Sequence, residues 1–273
     1  MYFLYNEDNL KVLKEMAENN VDCIITSPPY DDLRNYENTL QWNFEIFQKL
    51  AKQLYKVLKH GGVCVWVIAD NTINGSETGN SFRQALYFKE IGFNLHDTMI
   101  YAKHNPTPNT GGGTRYQQCF EYMFVFSKGK PKTVNLILEK RHNETNDKRT
   151  YRIKKFHRNK DGNFGEERYY EIKEEVPKRN IWTYKVGLYN TTRDKIAFEH
   201  PAIFPEQLAK DHILTWTNEQ DIVLDPFMGS GTVGKMCKEL NRTFIGIEIV
   251  EKYYNIANER IRGYKVQEEL NLE

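Results

Sequence analysis

A glycine-rich turn between a predicted strand and a predicted helix constrains the fold more than any other feature of this sequence. The apolar residues 221–224 lead into Asp225-Pro-Phe-Met-Gly-Ser-Gly-Thr232, and residues 231–240 have the pattern of a helix. In open α/β sheets such a turn lets the backbone approach a ligand closely, and it leaves the first N–H groups of the helix exposed. The turn therefore predicts an α/β fold built on a doubly wound, mostly parallel sheet.

The rest of the chain has the alternation of strands and helices that such a sheet needs. Residues 22–25 and 63–69 are short apolar runs, and a run without polar alternation suits a strand that is buried on both faces. Apolar residues recur at helical spacing from 40 to 58, and Gly61-Gly62 are predicted to end that helix. Further helices are predicted at 82–91, 205–214 and 251–261, and further strands at 95–101, 120–126 and 243–247.

The composition changes after residue 126. Residues 128–180 have almost no apolar periodicity, and residues 139–180 contain 13 Lys or Arg against 9 Asp or Glu. Residues 149–160 alone hold six basic residues, two aromatic residues and no acid. The whole chain has a formal net charge of only +1, so the remainder is slightly acidic, with 25 basic and 28 acidic residues. We expect the basic segment to contact nucleic-acid phosphates and bases, although a solvated, charge-mixed insertion has a similar composition.

Several classes of protein are excluded by what the sequence lacks. It contains no run of 18 apolar residues, and residues 1–8 lack the basic and apolar regions of a secretion signal. Its four cysteines, Cys23, Cys64, Cys119 and Cys237, form neither a Cys-x-x-Cys pair nor a zinc-like spacing with histidine. We therefore expect a cytoplasmic protein with buried free thiols and no metal.

The glycine turn by itself is compatible with more than one ligand. Gly229, Gly231 and Gly234 match the pattern Gly-x-Gly-x-x-Gly, and Glu248 ends the next predicted strand, where a carboxylate can accept ribose hydroxyls. Taken alone, this pattern also fits a nicotinamide-dependent oxidoreductase. A P-loop fits poorly, because Met236 stands where that loop needs a Ser or Thr for magnesium. A turn that only packs a helix on a strand is the third alternative.

A second motif helps to select among these ligands. The predicted strand at 22–25 runs into Thr26-Ser-Pro-Pro-Tyr30, so in a parallel sheet this motif lies at the same edge as the glycine turn. The prolines hold Ser27 and Pro28 extended, which aims the Ser27 side chain and the Pro28 carbonyl as acceptors. Such acceptors suit an exocyclic amine on a nucleobase, and Tyr30 can stack on a base that has left the duplex. The alternative is a loop with two prolines and a core tyrosine.

The two motifs together resemble the S-adenosylmethionine-dependent DNA methyltransferases that methylate exocyclic amino groups. The order of the motifs, catalytic first and cofactor last, is similar to the beta arrangement of that family. Residues 96–106 and 121–128 and the segment His200-Pro-Ala-Ile-Phe-Pro205 resemble further motifs of the family. The resemblance covers residues 5–128 and 196–263, and it implies a Rossmann-like methyltransferase fold with an inserted recognition segment.

The resemblance also implies domain bounds and three sets of site residues. The catalytic half would span 1–128, the target-recognition insertion 129–190 and the cofactor-binding half 191–273. The catalytic residues would be Ser27, Pro28, Pro29 and Tyr30. S-adenosylmethionine would be bound by Asp8, Thr26, His200, Pro201, Phe204, Asp225, Phe227, Gly229, Ser230, Gly231, Thr232 and Glu248. DNA would be bound by Arg149, Arg152, Lys154, Lys155, Arg158 and Lys160.

The residue before the two prolines predicts which base is methylated. In relatives that act on cytosine N4 this position is most often Ser, and in those that act on adenine N6 it is most often Asp or Asn. Ser27 therefore favours cytosine N4. Asp31 and Asp32 are placed to supplement Ser27, which keeps adenine N6 as the alternative. No cysteine follows a proline in this sequence, which argues against methylation at ring carbon 5.

The same resemblance implies the partners of the protein. We expect double-stranded DNA as the substrate and a prokaryotic or phage origin, and the resemblance allows for a separate cognate restriction nuclease and for a homodimer. Two other function classes account for part of the sequence: an oxidoreductase for the glycine pattern, and a non-catalytic DNA-binding module for the basic segment. Neither of them accounts for Ser27-Pro-Pro-Tyr30.

Overall fold

The structure, a computed structural model, describes residues 1–29, 42–106, 115–141, 153–155, 161–163, 168–170 and 174–264. The chain divides into two compact units, one made of Met1–Asn135 with Asn180–Glu273 and the other of Leu136–Arg179. The strands are β1 (Tyr2–Tyr5), β2 (Val21–Thr26), β3 (Leu58–Ile68), β4 (Thr72–Ile73), β5 (Ser76–Glu77), β6 (Asn94–Lys103), β7 (Phe120–Ser127), β8 (Leu138–Lys140), β9 (Ile153–Lys155), β10 (Arg168–Tyr170), β11 (Glu175–Pro177), β12 (Ile181–Tyr184), β13 (Ile222–Asp225) and β14 (Thr243–Ile247). The α-helices are α1 (Asn9–Glu15), α2 (Phe44–Val57), α3 (Asn80–Glu90), α4 (Glu206–Trp216), α5 (Thr232–Glu239) and α6 (Glu251–Gly263), and Lys195–Glu199 form a 3-10 helix.

The first unit is built on an eight-stranded sheet with the order β1-β14-β13-β2-β3-β7-β6-β12. Every neighbouring pair is parallel except the two pairs made by β7, which runs against the others. Helix α2 packs against both α1 and α3, and α5 packs against both α4 and α6. Strand β2 is buried except at Asp22, and residues 62–68 of β3 are buried, as strands covered by helices on both faces must be. The predicted fold class, a doubly wound and mostly parallel α/β sheet, is confirmed.

An aromatic cluster fills the core between the sheet and α2 and α3. Trp66 is completely buried, with its ring centroid 5.8 Å from that of Phe47 and 5.1 Å from that of Phe88. Phe88 lies in turn 4.6 Å from Phe126. The indole N–H of Trp66 donates to the Gln84 side-chain oxygen at 2.9 Å, so the one polar atom of this ring is satisfied. Burial of each such aromatic side chain stabilises the fold by about 1.5–3 kcal/mol.

The end of α2 differs from the prediction. The helix stops at Val57, and the two glycines predicted to end it lie inside β3. The backbone of Leu58 is already extended, with ψ 132°, and Leu58 pairs with Val21 of β2. Gly61 has φ +82°, and a Cβ on Gly62 would lie 2.9 Å from the Asp22 carbonyl oxygen. The glycines therefore allow an irregular, close strand pairing, a tertiary requirement that helical spacing cannot reveal.

The second unit contains two antiparallel pairs, β8 with β11 and β9 with β10. It lies within the segment 129–190 that the family resemblance marks as the target-recognition insertion, and residues 129–135 and 180–190 belong to the first unit. Strand β12 in particular pairs with β6 at the end of the main sheet.

Three of the four cysteines are buried, as expected, and the fourth is exposed. Cys23, Cys64 and Cys237 are buried and Cys119 is exposed, and none of the four forms a disulfide. Burial raises the pKa of the Cys64 thiol. No cluster of His, Cys, Asp and Glu in the described ranges is suited to hold a metal ion. Across the same ranges, no helix combines the length and the apolar character needed to span a membrane.

Candidate active-site cleft

The carboxyl ends of the parallel strands meet at one edge of the sheet, where a cleft of about 780 Å³ opens. Strand β14 delivers Glu248 to this edge, β13 delivers Asp225 and the glycine turn, and β2 delivers Ser27. Ligands of open α/β folds bind at this position. The predicted site residues that line the cleft are Asp8, Ser27, Pro28, Pro29, His200, Pro201, Phe204, Asp225, Phe227, Gly229, Ser230, Thr232 and Glu248.

Glu248 is held as an acceptor at the start of the glycine turn. Its Oε2 accepts the Gly229 N–H at 2.9 Å, and its Oε1 accepts the Val250 N–H at 2.9 Å. Burial raises the pKa of this carboxyl, and the backbone N–H donors act in the opposite direction. Each carboxylate oxygen has a second acceptor site. The carboxylate is therefore fixed in orientation and suited to accept the hydroxyls of a ribose.

Gly229 lies where a side chain would obstruct the cleft. Its φ is +51°, and a Cβ there would be 3.1 Å from the Nε2 atom of His200. The His200 ring is fixed in turn, because its Nδ1 accepts the Ala202 N–H at 3.1 Å and it packs edge-to-face with Tyr253, with 4.3 Å between the ring centroids. The 200–204 segment thus packs close to the backbone at Gly229. Because Gly229 has no side chain, space for a ligand remains beside the turn.

Gly231, also predicted to bind the cofactor, is not among the residues that line the cleft. It has φ +80°, and a Cβ there would lie 2.9 Å from Cβ of Ala257 on α6. The missing side chain at Gly231 lets α5 approach α6, so this glycine shapes the turn from behind.

A buried hydrogen bond joins the two motifs. The Thr26 hydroxyl donates to Asp225 Oδ1 at 2.6 Å, and the Phe227 N–H donates to the same oxygen at 3.0 Å. Burial raises the pKa of Asp225 to about 7; the Thr26 and Phe227 donors lower it, and the nearby Glu248 charge raises it. Thr26 itself does not line the cleft. It connects the end of β2 to the glycine turn, which the sequence did not indicate.

Helix α1 forms another wall of the cleft. Asp8 caps this helix, and its carboxylate accepts the N–H groups of Leu10 at 2.8 Å and Lys11 at 3.2 Å. The next residue, Asn9, donates from its side chain to the Pro226 carbonyl at 3.1 Å. Asn9 was missed in the sequence because a single amide carries no periodic signal. Its bond fixes α1 beside the glycine turn.

A buried cluster of charges supports the turn from the other side. Arg260, 4 % exposed, donates to the Ser230 carbonyl at 2.5 Å and pairs with Asp194 at 3.1 Å and Glu206 at 2.9 Å. Lys235 pairs with the same two carboxylates, at 2.9 Å each. Lys235, the lysine that a P-loop reading would require on a phosphate, is therefore engaged in the interior.

The far wall of the cleft carries polar residues from β6 and β7. Lys103 and Glu121 form an ion pair with 2.7 Å between Nζ and Oε1, and both residues line the cleft together with Tyr101 and Gln118. Burial and the Glu121 charge raise the pKa of Tyr101. Lys103 follows a predicted strand, so the sequence indicates that it lies near the cleft edge of the sheet. Its partner, Glu121, becomes evident only when β6 and β7 are paired.

Some predicted site residues lie outside the described residues. These are Tyr30, Asp31, Asp32, Arg149, Arg152, Arg158 and Lys160. Lys154 and Lys155 are described as part of β9, in the second unit.

Comparison with known proteins gives concordant matches along the chain. A family model described as DNA methylase (N6_N4_Mtase) matches residues 21–259. The orphan methyltransferase M.BamHII of Bacillus amyloliquefaciens is 55% identical over 257 residues, which cover 91% of this chain and 93% of that protein. The type II methyltransferase M.HpaI of Haemophilus parainfluenzae is 30% identical, over 92% of this chain and 71% of that protein.

Solved structures agree with this assignment. The crystal structure of the M1.HpyAVI-SAM complex superposes with a TM-score of 0.63 at 25% identity, over 96% of this chain and all (100%) of that one. The PvuII DNA methyltransferase, named as cytosine-N4-specific, has the same fold, with a TM-score of 0.71 at 18% identity over 95% of this chain and 86% of that one. The chain therefore belongs to the N6/N4 DNA methylase family and is a DNA methyltransferase.

Proposed function

We propose that the protein transfers a methyl group from S-adenosylmethionine to N4 of a cytosine that has been flipped out of double-stranded DNA. The observation that carries the proposal is the common cleft of the two motifs. Ser27, Pro28 and Pro29 face the same cavity as the glycine turn and Glu248, and Thr26 is hydrogen-bonded to Asp225. An oxidoreductase or a non-catalytic DNA-binding module would have no use for this arrangement.

The residues present fit the cofactor. The Glu248 carboxylate would accept the ribose hydroxyls, the bare backbone at Gly229 would allow close approach, and Asp8 and Phe227 would enclose the adenine end. When bound, S-adenosylmethionine supplies a methyl group on a sulfonium, which is transferred in line to a nucleophile. The protein has to align the acceptor amine and exclude competing geometries, so neither a metal nor a covalent intermediate on the enzyme is required.

Ser27 and the Pro28 carbonyl act on the acceptor amine. An exocyclic amino group is a weak nucleophile because its lone pair is delocalised into the ring. Two acceptors that bind its hydrogens out of the ring plane localise that lone pair. As the nitrogen–methyl bond forms, the methyl–sulfur bond would break to release S-adenosylhomocysteine, and the amine would give up one proton to solvent. Ser27 is a neutral acceptor, whereas a carboxylate makes the stronger charge-assisted bond. Together with the tendency for Ser at this position in cytosine-N4 enzymes, this supports cytosine; Tyr30 would stack on the flipped ring.

The second unit is proposed to recognise the DNA sequence. Its basic residues, Lys154 and Lys155 of β9 among them, would bind phosphates and position the duplex. Exchanging both for Glu should weaken DNA binding and reduce its dependence on salt, because each phosphate contact contributes to the salt dependence. The exposed pair Lys49 and Lys52 on α2, also exchanged for Glu, provides a control with the same charge change. Equal losses in the two double variants would contradict the assignment.

The product of the reaction tests the proposed function directly. Plasmid should be propagated in a host that lacks its own DNA methyltransferases and expresses this protein, and its nucleosides analysed by mass spectrometry. N4-methylcytosine is expected with the wild type and not with Ser27→Ala. Ser127→Ala is the matched control, since this buried serine lies at the opposite edge of the sheet, where it donates to the Gly129 carbonyl.

N6-methyladenine in place of N4-methylcytosine would correct the base, and the absence of both would refute the proposed function. The cytoplasmic location, a cognate nuclease and a homodimer remain predictions from the family resemblance.

A further inference from the structure

The strand order divides the cleft into two sides. Along the edge, β14 and β13 bring Glu248 and Asp225 to one side of β2 and its Ser27. On the other side, beyond β3, lie β7 and β6. Because β7 runs against its neighbours, its first residues meet the last residues of β6 at this edge, and Tyr101 pairs with Glu121 in the register. Lys103 and Glu121 thus face the same cleft as Ser27, on the side away from the glycine turn.

This second side belongs to the same cleft and carries fixed charges. The cofactor residues lie on the Glu248 side of Ser27. The target base, whose amine would contact Ser27, therefore extends toward the opposite side. There the side chain of Lys103 is 27% exposed and that of Glu121 is 11% exposed, so the pair is partly withdrawn from water but open to the cleft. Glu121 accepts from the ammonium at 2.7 Å and holds it in place. An ammonium has three N–H donors, so the ion pair leaves it able to donate to a further acceptor.

We propose that Lys103, held by Glu121, binds the ring nitrogen beside the exocyclic amine of the flipped target base. The inference rests on the proposed function and adds a specificity-determining residue to it. An amine next to a ring acceptor is common to cytosine, where the acceptor is N3, and adenine, where it is N1. Thymine presents an N–H at the equivalent ring position, which a lysine donor would reject. The neighbouring Glu121 is a positioning residue, because it orients the ammonium and preserves its charge.

A base analogue without that ring nitrogen provides the test. The target site is first mapped by sequencing the methylated DNA, and duplexes are then made with the natural base or its deaza analogue, 3-deazacytosine or 1-deazaadenine. Affinities are measured by fluorescence anisotropy in the presence of S-adenosylhomocysteine, so that no methyl transfer occurs. For each protein, the affinity for the natural duplex is divided by the affinity for the deaza duplex. This ratio is expected to be about 10-fold higher for the wild type than for Lys103→Met, because a good base contact discriminates by about that factor or more.

Three further variants separate binding from folding. Lys103→Arg retains a donor and is expected to retain most of the preference. The double variant Lys103→Met/Glu121→Gln leaves no carboxylate unpaired and should therefore fold. It should still lack the preference for the natural base. Lys59→Met is the matched control, because Lys59 makes a similar ion pair with Asp22, also at 2.7 Å, but does not line the cleft. It should behave as the wild type.

The outcomes distinguish the inference from the proposed function. In one outcome, the wild type methylates DNA, and Lys103→Met and the double variant still discriminate against the deaza base as strongly as the wild type. That result overturns the inference and leaves the proposed function standing. If Lys59→Met loses the preference to the same extent, the effect is a general loss of ion pairing, and the inference is again wrong. A wild type that forms no methylated amine refutes both.

Discussion

The hydrogen bond from Thr26 to Asp225 makes the stability of this protein depend on pH in a way that a single substitution can expose. Thr26 and Asp225 are separated by 199 residues in sequence, and both are buried, with 2.6 Å between the two oxygens. The pKa of Asp225 is raised by burial to about 7, from the ordinary value of 3.8. Because the folded pKa is higher than the unfolded one, ionisation of this group favours unfolding. Its contribution to stability falls as the pH rises from about 4 to about 7 and is constant above that.

Thr26→Val removes the hydroxyl while nearly preserving the shape of the side chain. A hydrogen bond between neutral groups stabilises by about 1 kcal/mol and one to a charged group by about 2 kcal/mol. The variant should therefore lose about 1 kcal/mol at pH 6, where Asp225 is mostly protonated, and about 2 kcal/mol at pH 8.5, where it is ionised. The difference corresponds to a further rise of about 0.7 in the pKa of Asp225.

Urea unfolding at pH 6 and pH 8.5 measures both losses. Thr26→Ser is the control, since it keeps the hydroxyl and loses one buried methyl group, at a cost of about 1 kcal/mol that is the same at the two pH values. A loss for Thr26→Val that does not grow with pH would refute the reasoning, because Asp225 would then not depend on Thr26 for the stability of its ionised form.

Three further substitutions test the cleft and its support. Glu248→Gln should weaken S-adenosylmethionine binding about 10- to 100-fold by calorimetry, since a charged acceptor contributes about 1.5–3 kcal/mol. Gly234→Ala should lower the free energy of unfolding by about 2 kcal/mol, because its Cβ would lie 2.5 Å from both Ile261 Cδ1 and Phe244 Cε1. Arg260→Met should cost about 3–5 kcal/mol in urea unfolding, because it breaks a buried ion pair and leaves two carboxylates without their arginine.

Each of these substitutions has a matched control. Glu251→Gln changes an exposed glutamate at the start of α6 and should leave cofactor binding unchanged. Gly263→Ala adds a Cβ that meets no atom within 4 Å and should not destabilise the fold. Lys11→Met removes the exposed pair with Glu7 and should leave the free energy of unfolding nearly unchanged. If any test variant behaves like its control, the role assigned to that residue is wrong.

The sequence was sufficient to predict six of the eight strands of the main sheet and the edge at which the cleft lies, but not β1 or β12. Strands at 22–25 and 63–69 and the turn at 225–232 were evident because apolar periodicity and glycine placement act over a few residues. Once the strands are taken as parallel, the rule that their carboxyl ends meet at one edge brings Ser27 and Glu248 together. The fold class and the side of the cleft formed by Ser27, the glycine turn and Glu248 follow from these local signals.

The pairing of distant side chains was decided by the tertiary structure. Thr26 and Asp225 meet because β2 and β13 are neighbours, and Lys103 meets Glu121 because β7 reverses direction beside β6. Strand order and direction depend on the packing of the whole sheet. A single polar residue has no repeating sequence pattern from which its partner could be predicted. The sequence by itself thus determined most of the elements of the main sheet and the edge at which chemistry takes place. Only the folded chain revealed the hydrogen bond between the two motifs and the ion pair on the far side of the cleft. Both are contacts between strands that are distant in sequence or whose pairing depends on strand direction.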